Sequence, residues 1–169
     1  MGWKLHKNLN AYFYFMSETI IRRTTAQNED FLSLVKQLDA YLAIADGDEH
    51  AFYDQFNKLD HIQHVVVIYE NEEPVACGAI KAFDESQIEV KRMFTLPSKR
   101  GKGYASSVLK ELETWSRDMG FSKCILETGK RQEEALKLYP KNGYVKRENY
   151  GQCKGIENSV CFEKKIREV

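Results

Sequence analysis

Glu89-Val90-Lys91-Arg92-Met93-Phe94-Thr95-Leu96-Pro97, then Ser98-Lys99-Arg100-Gly101-Lys102-Gly103-Tyr104-Ala105, then an amphipathic run to Met119, is the stretch on which the fold turns. It reads as a strand, a glycine-rich basic loop and a helix. The first backbone N–H groups of a helix have no partner within it, and the positive end of the helix dipole lies there. A loop entering a helix in this way is a ready phosphate site. Gly101, Gly103 and Ala105 let a ligand approach the backbone, and Arg100 and Lys102 bring positive charge. Spacing excludes two other phosphate loops. A P-loop needs Gly-x-x-x-x-Gly-Lys-Ser/Thr, which is absent. A dinucleotide fingerprint needs Gly-x-Gly-x-x-Gly after a first parallel strand, but Ser106 stands after the glycine pair and hairpins precede it.

Upstream of this unit, Thr19 to Thr24 predicts a strand. Thr25 is expected to cap a helix whose first turn holds Glu29 and Asp30. Phe31, Leu34, Val35, Leu38, Leu42 and Ala45 follow at helical spacing, and Gly47 stops the helix. Ala51 to Leu59 predicts a short second helix. The run Val65-Val66-Val67-Ile68 predicts a strand, Gln63 to Tyr69, buried on both faces. Turns at Asn71–Pro74 and Asp84–Ser86 set off strands over Val75–Phe83 and Gln87–Thr95. In the last of these, alternation puts Glu89, Lys91 and Met93 on one side and Val90, Arg92 and Phe94 on the other, unless a bulge intervenes.

Downstream, Ala105, Val108, Leu109, Leu112, Ser116 and Met119 form the inner face of a helix that ends at Gly120, with Glu113 and Arg117 paired outside. Lys123 to Glu127 predicts a fifth strand and Arg131 to Lys141 a helix. Asn142-Gly143 closes that helix, Tyr144-Val145 begins a strand, and Ser159 to Lys165 is the last strand. Hairpins followed by mixed helices and strands make this a single α+β domain.

The chain of 169 residues carries 25 Lys plus Arg and 25 Asp plus Glu, so its formal net charge is zero. That balance argues against a general nucleic-acid or membrane-surface binder. Cys77, Cys124, Cys153 and Cys161 form no Cys-x-x-Cys pair, so no metal site is expected. They read as free thiols of a cytoplasmic protein. No apolar run approaches the roughly 18 residues that span a membrane. Residues 1–17 read as an N-terminal extension, with Met16 an alternative start before the domain at 18–166.

Arg100-Gly101-Lys102-Gly103-Tyr104-Ala105 resembles the Arg/Gln-x-x-Gly-x-Gly/Ala coenzyme A loop of the GNAT superfamily of N-acetyltransferases. Glu89 to Thr95 resembles that family's fourth strand. Ala135-Leu136-Lys137-Leu138-Tyr139-Pro140-Lys141-Asn142-Gly143-Tyr144 resembles its Ala-x-x-Leu-Tyr-x-x-x-Gly-Phe signature. The resemblance implies a mostly antiparallel sheet splayed between the fourth and fifth strands, with acetyl-CoA in the splay. Main-chain groups of Met93, Phe94 and Thr95 would pair with pantetheine amides. N–H groups of Arg100, Gly101, Lys102, Gly103, Tyr104 and Ala105 would hold the diphosphate. Gln132 stands where Asn is usual on the cofactor side. The implied reaction moves an acetyl group to a primary amine, of a small molecule, by direct transfer in a ternary complex. Protein or peptide amines, and a non-catalytic acyl-CoA-binding module, are the competing readings. Many members of the family are homodimers.

An amine attacks a thioester only when unprotonated, and an ammonium has a pKa of about 10, so a base is needed. The leaving thiolate needs a proton. By resemblance Tyr139 is the acid, although periodicity alone would only pack it beside Leu138 and Ala135. Glu89 is the candidate base; the alternative is an exposed carboxylate paired with Lys91 or Arg92. A backbone N–H near a bulge at Met93 would stabilise the carbonyl oxygen. His6, His50, His61 and His64 read as non-ligands, and Cys153 as a loop residue bordering the acceptor side. The acidic residues Asp46, Asp48, Glu49 and Asp54 read as a solvated helix start.

Overall fold

The computed structural model describes residues 18–49 and 58–167. The N-terminal extension, with its alternative start at Met16, lies outside them, as does almost all of the helix expected over Ala51–Leu59. The described chain runs β1 (Thr19–Thr24), α1 (Glu29–Asp46), β2 (His64–Glu70), β3 (Glu73–Ala82), β4 (Gln87–Thr95), α2 (Tyr104–Asp118), β5 (Lys123–Gly129), α3 (Glu133–Lys141), β6 (Val145–Arg147) and β7 (Ser159–Lys165).

The β-branched run becomes β2, and alternate residues serve two cores. Val66 and Ile68 pack with Val108, Leu109 and Leu112 of α2, whereas Val65, Val67 and Tyr69 pack with Phe31, Leu34, Val35 and Leu38 of α1. A strand sandwiched between helix layers has no polar face to show, which is why the run is continuous. Asn28, not Thr25, caps α1: its side chain accepts from the Phe31 N–H at 2.9 Å. Thr25 instead gives its carbonyl to the Asn28 N–H at 3.2 Å, so a turn separates it from the helix. Glu29 and Asp30 occupy the first turn as expected, and Gly47 ends the helix with φ 56°.

The sheet order is β1-β2-β3-β4-β5-β7-β6. Neighbours are antiparallel except β4 and β5, which pair in parallel. That pairing covers Gln87, Ile88 and Glu89 against Lys123, Cys124 and Ile125. β4 runs on to Thr95 and β5 to Gly129 without pairing, so the sheet opens just past Glu89. The fold is the expected α+β domain with a splay between its fourth and fifth strands.

A bulge breaks β4. Cys77 lies opposite Phe94 and Ala79 opposite Lys91, so β4 carries one residue more than β3 over this interval. Arg92 takes up the extra residue with φ 57°. Simple alternation therefore fails. Ile88, Val90 and Met93 pack toward α2, while Phe94 joins the α1 core and Arg92 reaches Asp39 on α1. Met93 is thus not on the Glu89 side, and Val90 and Phe94 are on opposite faces.

The expected Glu113–Arg117 pair does not form either. Glu113 is buried against the sheet and pairs with Lys164 of β7 at 2.6 Å, while Arg117 donates to the Ile166 carbonyl at 3.4 Å. The inner face of α2 takes in two residues that were not expected there, Glu113 and the buried Tyr104.

Gly78 explains how the bulge is accommodated. A Cβ there would lie 2.5 Å from the Met93 sulfur and 2.6 Å from a Val108 methyl. Gly78→Ala is therefore an overpacking change. It is expected to destabilise the fold by about 1–3 kcal/mol and to lower Tm by roughly 2–4 °C per kcal/mol, read by thermal unfolding. A wild-type Tm would show that Met93 has room to move.

Candidate active site

The opening between β4 and β5 is a cleft of about 320 Å³. One wall is Met93, Phe94 and Thr95 on β4; the other is Ala135, Leu138 and Tyr139 on α3. Its floor is the loop and first turn of α2, with Arg100, Gly101, Gly103, Tyr104, Ala105 and Ser106, and Gln132 closes one end. Every donor-binding residue expected from sequence lines it except Lys102.

Gly101 and Gly103 have φ of 79° and 85°, a region that favours glycine. A Cβ on either would meet no protein atom within 4 Å, so both backbones face open space. Gly103 caps α2, and its carbonyl takes the Ser107 N–H at 3.0 Å. The N–H groups of the first turn are left pointing outward.

The loop's cations are held internally. Lys102 sits 2.8 Å from Glu70, Lys99 pairs with Glu70 and, at 2.9 Å, with Glu73, and Arg100 lies 2.7 Å from Glu134. The Tyr104 hydroxyl also donates to Glu70 at 2.5 Å. Lys102, Lys99 and Tyr104 together hold the Glu70 carboxyl down to about 2. Arg100 and Lys102 thus carry carboxylate partners as well as positive charge, and the Arg100 N–H donates to the Pro97 carbonyl at 3.4 Å.

A second cavity of about 90 Å³ adjoins the cleft and shares Leu38, Met93, Gln132 and Tyr139 with it. Leu42, Glu89, Val90, Lys91, Arg92, Glu127 and Thr128 complete its lining. Tyr139 is 5% exposed, its ring 5.8 Å from Tyr144 and 5.7 Å from Phe162. Burial, and then the charge of Glu127, push its hydroxyl above the ordinary tyrosine range. Its carbonyl accepts the N–H groups of Asn142 and Tyr144 at 3.0 and 3.1 Å, which fixes the end of α3 and the ring with it.

Glu89 is 9% exposed, so the reading of an exposed carboxylate is corrected, although its pairing with Lys91 at 3.3 Å is present. Its other oxygen accepts from the Tyr150 hydroxyl at 2.9 Å. Sequence reading passed over Tyr150 within the polar loop Asn149–Gly155; a lone large aromatic in that loop was the available signal. Burial and the Glu89 charge raise the Tyr150 hydroxyl. Phe83 packs edge-on to its ring at 5.2 Å and Arg147 lies over it at 4.9 Å. The Gln132 amide oxygen accepts from Thr128 at 3.1 Å and so faces both cavities.

Other residues have structural places. Cys77 and Cys124 are buried thiols pushed up to about 12 by burial. Cys153 is buried with Cys161, Tyr150 and Ile125. His64 stacks edge-on to Trp115 at 4.8 Å. Among the described residues no His, Cys, Asp or Glu group is arranged to hold a metal, and no helix is long and apolar enough to cross a membrane.

A sheet splayed at one parallel pair, with a glycine loop at the mouth of the splay, defines an acyl-CoA-dependent transferase scaffold. The model of the acetyltransferase (GNAT) family matches residues 29–144. The chain belongs to this family, and it is an acetyl-CoA-dependent N-acetyltransferase. It is 30% identical over 153 residues to the IAA acetyltransferase of Azospirillum brasilense, covering 89% of this chain and 100% of the relative. A crystal structure from Klebsiella pneumoniae assigned to the acyl-CoA N-acyltransferases is 28% identical with a TM-score of 0.74, over 88% of this chain and 98% of that one. A GNAT family acetyltransferase of Elizabethkingia anophelis with acetyl-CoA bound shares the fold at 19% identity and a TM-score of 0.62, over 87% and 97% of the two chains.

Proposed function

We propose that residues 18–166 transfer the acetyl group of acetyl-CoA directly to the primary amine of a small molecule, with both substrates bound together. The observation that carries this reading is the join between the two cavities: Tyr139 lines both, and Glu89 lies in the inner one. A proton acceptor and a proton donor thus stand near one meeting point.

The cleft suits the donor on two counts. Gly101 and Gly103 present open backbone at the mouth of the cleft, which fits a diphosphate against the α2 N-terminus. Thr95 lines the cleft, and its buried hydroxyl has no hydrogen-bond partner among the described residues, which fits a chain of amides lying along β4. In the reaction the amine nitrogen bonds to the thioester carbonyl carbon and the carbon–sulfur bond breaks. Glu89 takes the proton the amine gives up, directly or through a water. Each of its oxygens, though engaged by Tyr150 or Lys91, keeps a second lone pair for this. Tyr139 gives its proton to the departing sulfur. The four free, buried cysteines fit a reducing compartment such as the cytoplasm.

Initial rates of thiol release, with acetyl-CoA and amine both varied, test the order of events. Intersecting reciprocal plots are expected; parallel lines would mean an acetylated enzyme and would overturn direct transfer. Glu89→Gln is expected to lower kcat/KM by about 10²-fold while the Kd for acetyl-CoA stays within about threefold. A wild-type kcat/KM in Glu89→Gln would remove Glu89 from the role of base.

A further inference from the structure

Resting on the proposed function, we infer that the acceptor is an amino acid, one small molecule carrying both the reactive amine and a carboxylate. The bulge in β4 is the starting point. Had alternation continued from Ile88 and Val90, Arg92 would point into the α2 core beside Val108 and Leu112. The extra residue, with Arg92 at φ 57°, turns it to the α1 side, and Lys91 and Arg92 both line the inner cavity. A non-glycine residue in this region is strained, and such strain persists only where the surroundings enforce it.

The Arg92 side chain is 2% exposed. One terminal nitrogen pairs with Asp39, whose side chain is 43% exposed. Its Nε is buried and has no hydrogen-bond partner among the described residues. An unpaired donor on a buried guanidinium is expensive and calls for an acceptor that arrives from elsewhere. The cavity that Arg92 lines also holds Lys91, Glu89 and Glu127, so two cations and two carboxylates surround about 90 Å³. A simple amine would answer only the carboxylates. A zwitterion matches both, its amine toward Glu89 and its carboxylate toward Arg92 and Lys91. The volume suits the amine, α-carbon and carboxylate of an amino acid.

The test measures thiol release at saturating acetyl-CoA over matched trios: an L-amino acid, its amide, and the amine left by removing the carboxylate. The carboxylate-bearing member of each productive trio is expected to show a kcat/KM at least about tenfold above the other two. Arg92→Met is expected to raise KM for that amino acid about tenfold or more, while KM for the decarboxylated amine and Kd for acetyl-CoA stay within about twofold. If Arg92→Met fails to fold, Asp39→Asn, which keeps the guanidinium, is expected to retain the preference for the carboxylate. Equal kcat/KM across the trios, or turnover of carboxylate-free amines alone, would overturn the inference and leave the transferase reading intact. Absence of thiol release with every amine despite acetyl-CoA binding would overturn both.

Discussion

Tyr139→Phe is expected to lower kcat by about 10²-fold or more while the Kd for acetyl-CoA changes by less than about threefold. The ring is held by Tyr144, Phe162 and the end of α3, and phenylalanine keeps those contacts. What is lost is the hydroxyl of a residue that lines both cavities. Tm should therefore stay within about 3 °C of wild type, or roughly 1 kcal/mol. Burial and the Glu127 charge raise the Tyr139 hydroxyl, so its acid form persists further into the alkaline range than that of a free tyrosine. Activity should accordingly not fall near pH ~10 through loss of this proton. Single-turnover and steady-state thiol release over pH read both effects. Full activity in Tyr139→Phe would remove the hydroxyl from the chemistry.

Gly103→Val is expected to weaken acetyl-CoA binding by about 10²-fold or more, close to 3 kcal/mol, read by calorimetry. Two effects combine. With φ 85° the position strains a β-branched residue by about 1–3 kcal/mol, which would lower Tm by several degrees. The side chain also meets no protein atom, so its methyl groups stand in the cleft, where a ligand's phosphates would meet the first N–H groups of α2. Gly103→Ala separates the two effects: it carries the strain but fills less of the cleft, and its affinity should fall between wild type and valine. Wild-type affinity in Gly103→Val would place the diphosphate elsewhere.

The cleft between β4 and α3 was legible in the sequence because much of it is local. The glycine loop, its strand and its helix are adjacent, and the Leu138-Tyr139 signature stands at the facing wall. β2 was legible because continuous β-branched residues have few other uses. The adjoining cavity was not, because it is assembled from β4, β5, α1 and α3, with Glu89 meeting the Tyr150 hydroxyl far along the chain. The bulge was anticipated near Met93, but its effect on the facing of Arg92 and Phe94 was not legible, because Val90, Arg92 and Phe94 alternate normally in sequence and Gly78, which makes room for Met93 to turn, lies across the sheet. Glu113 was misread because helical spacing identifies Arg117 as a neighbour but says nothing of Lys164 on β7. The pairing of Lys102 with Glu70 was not legible, because Glu70, at the end of β2, is distant in sequence.

Hydrogen–deuterium exchange with and without acetyl-CoA tests the central claim most directly, because it reads where the donor lies without assuming what it does. Saturating acetyl-CoA should slow exchange in peptides covering Met93–Thr95 and Arg100–Ala105, and leave β1 unchanged. Protection confined to other parts of the chain, with these two segments unaffected, would contradict the placement of acetyl-CoA between β4 and β5.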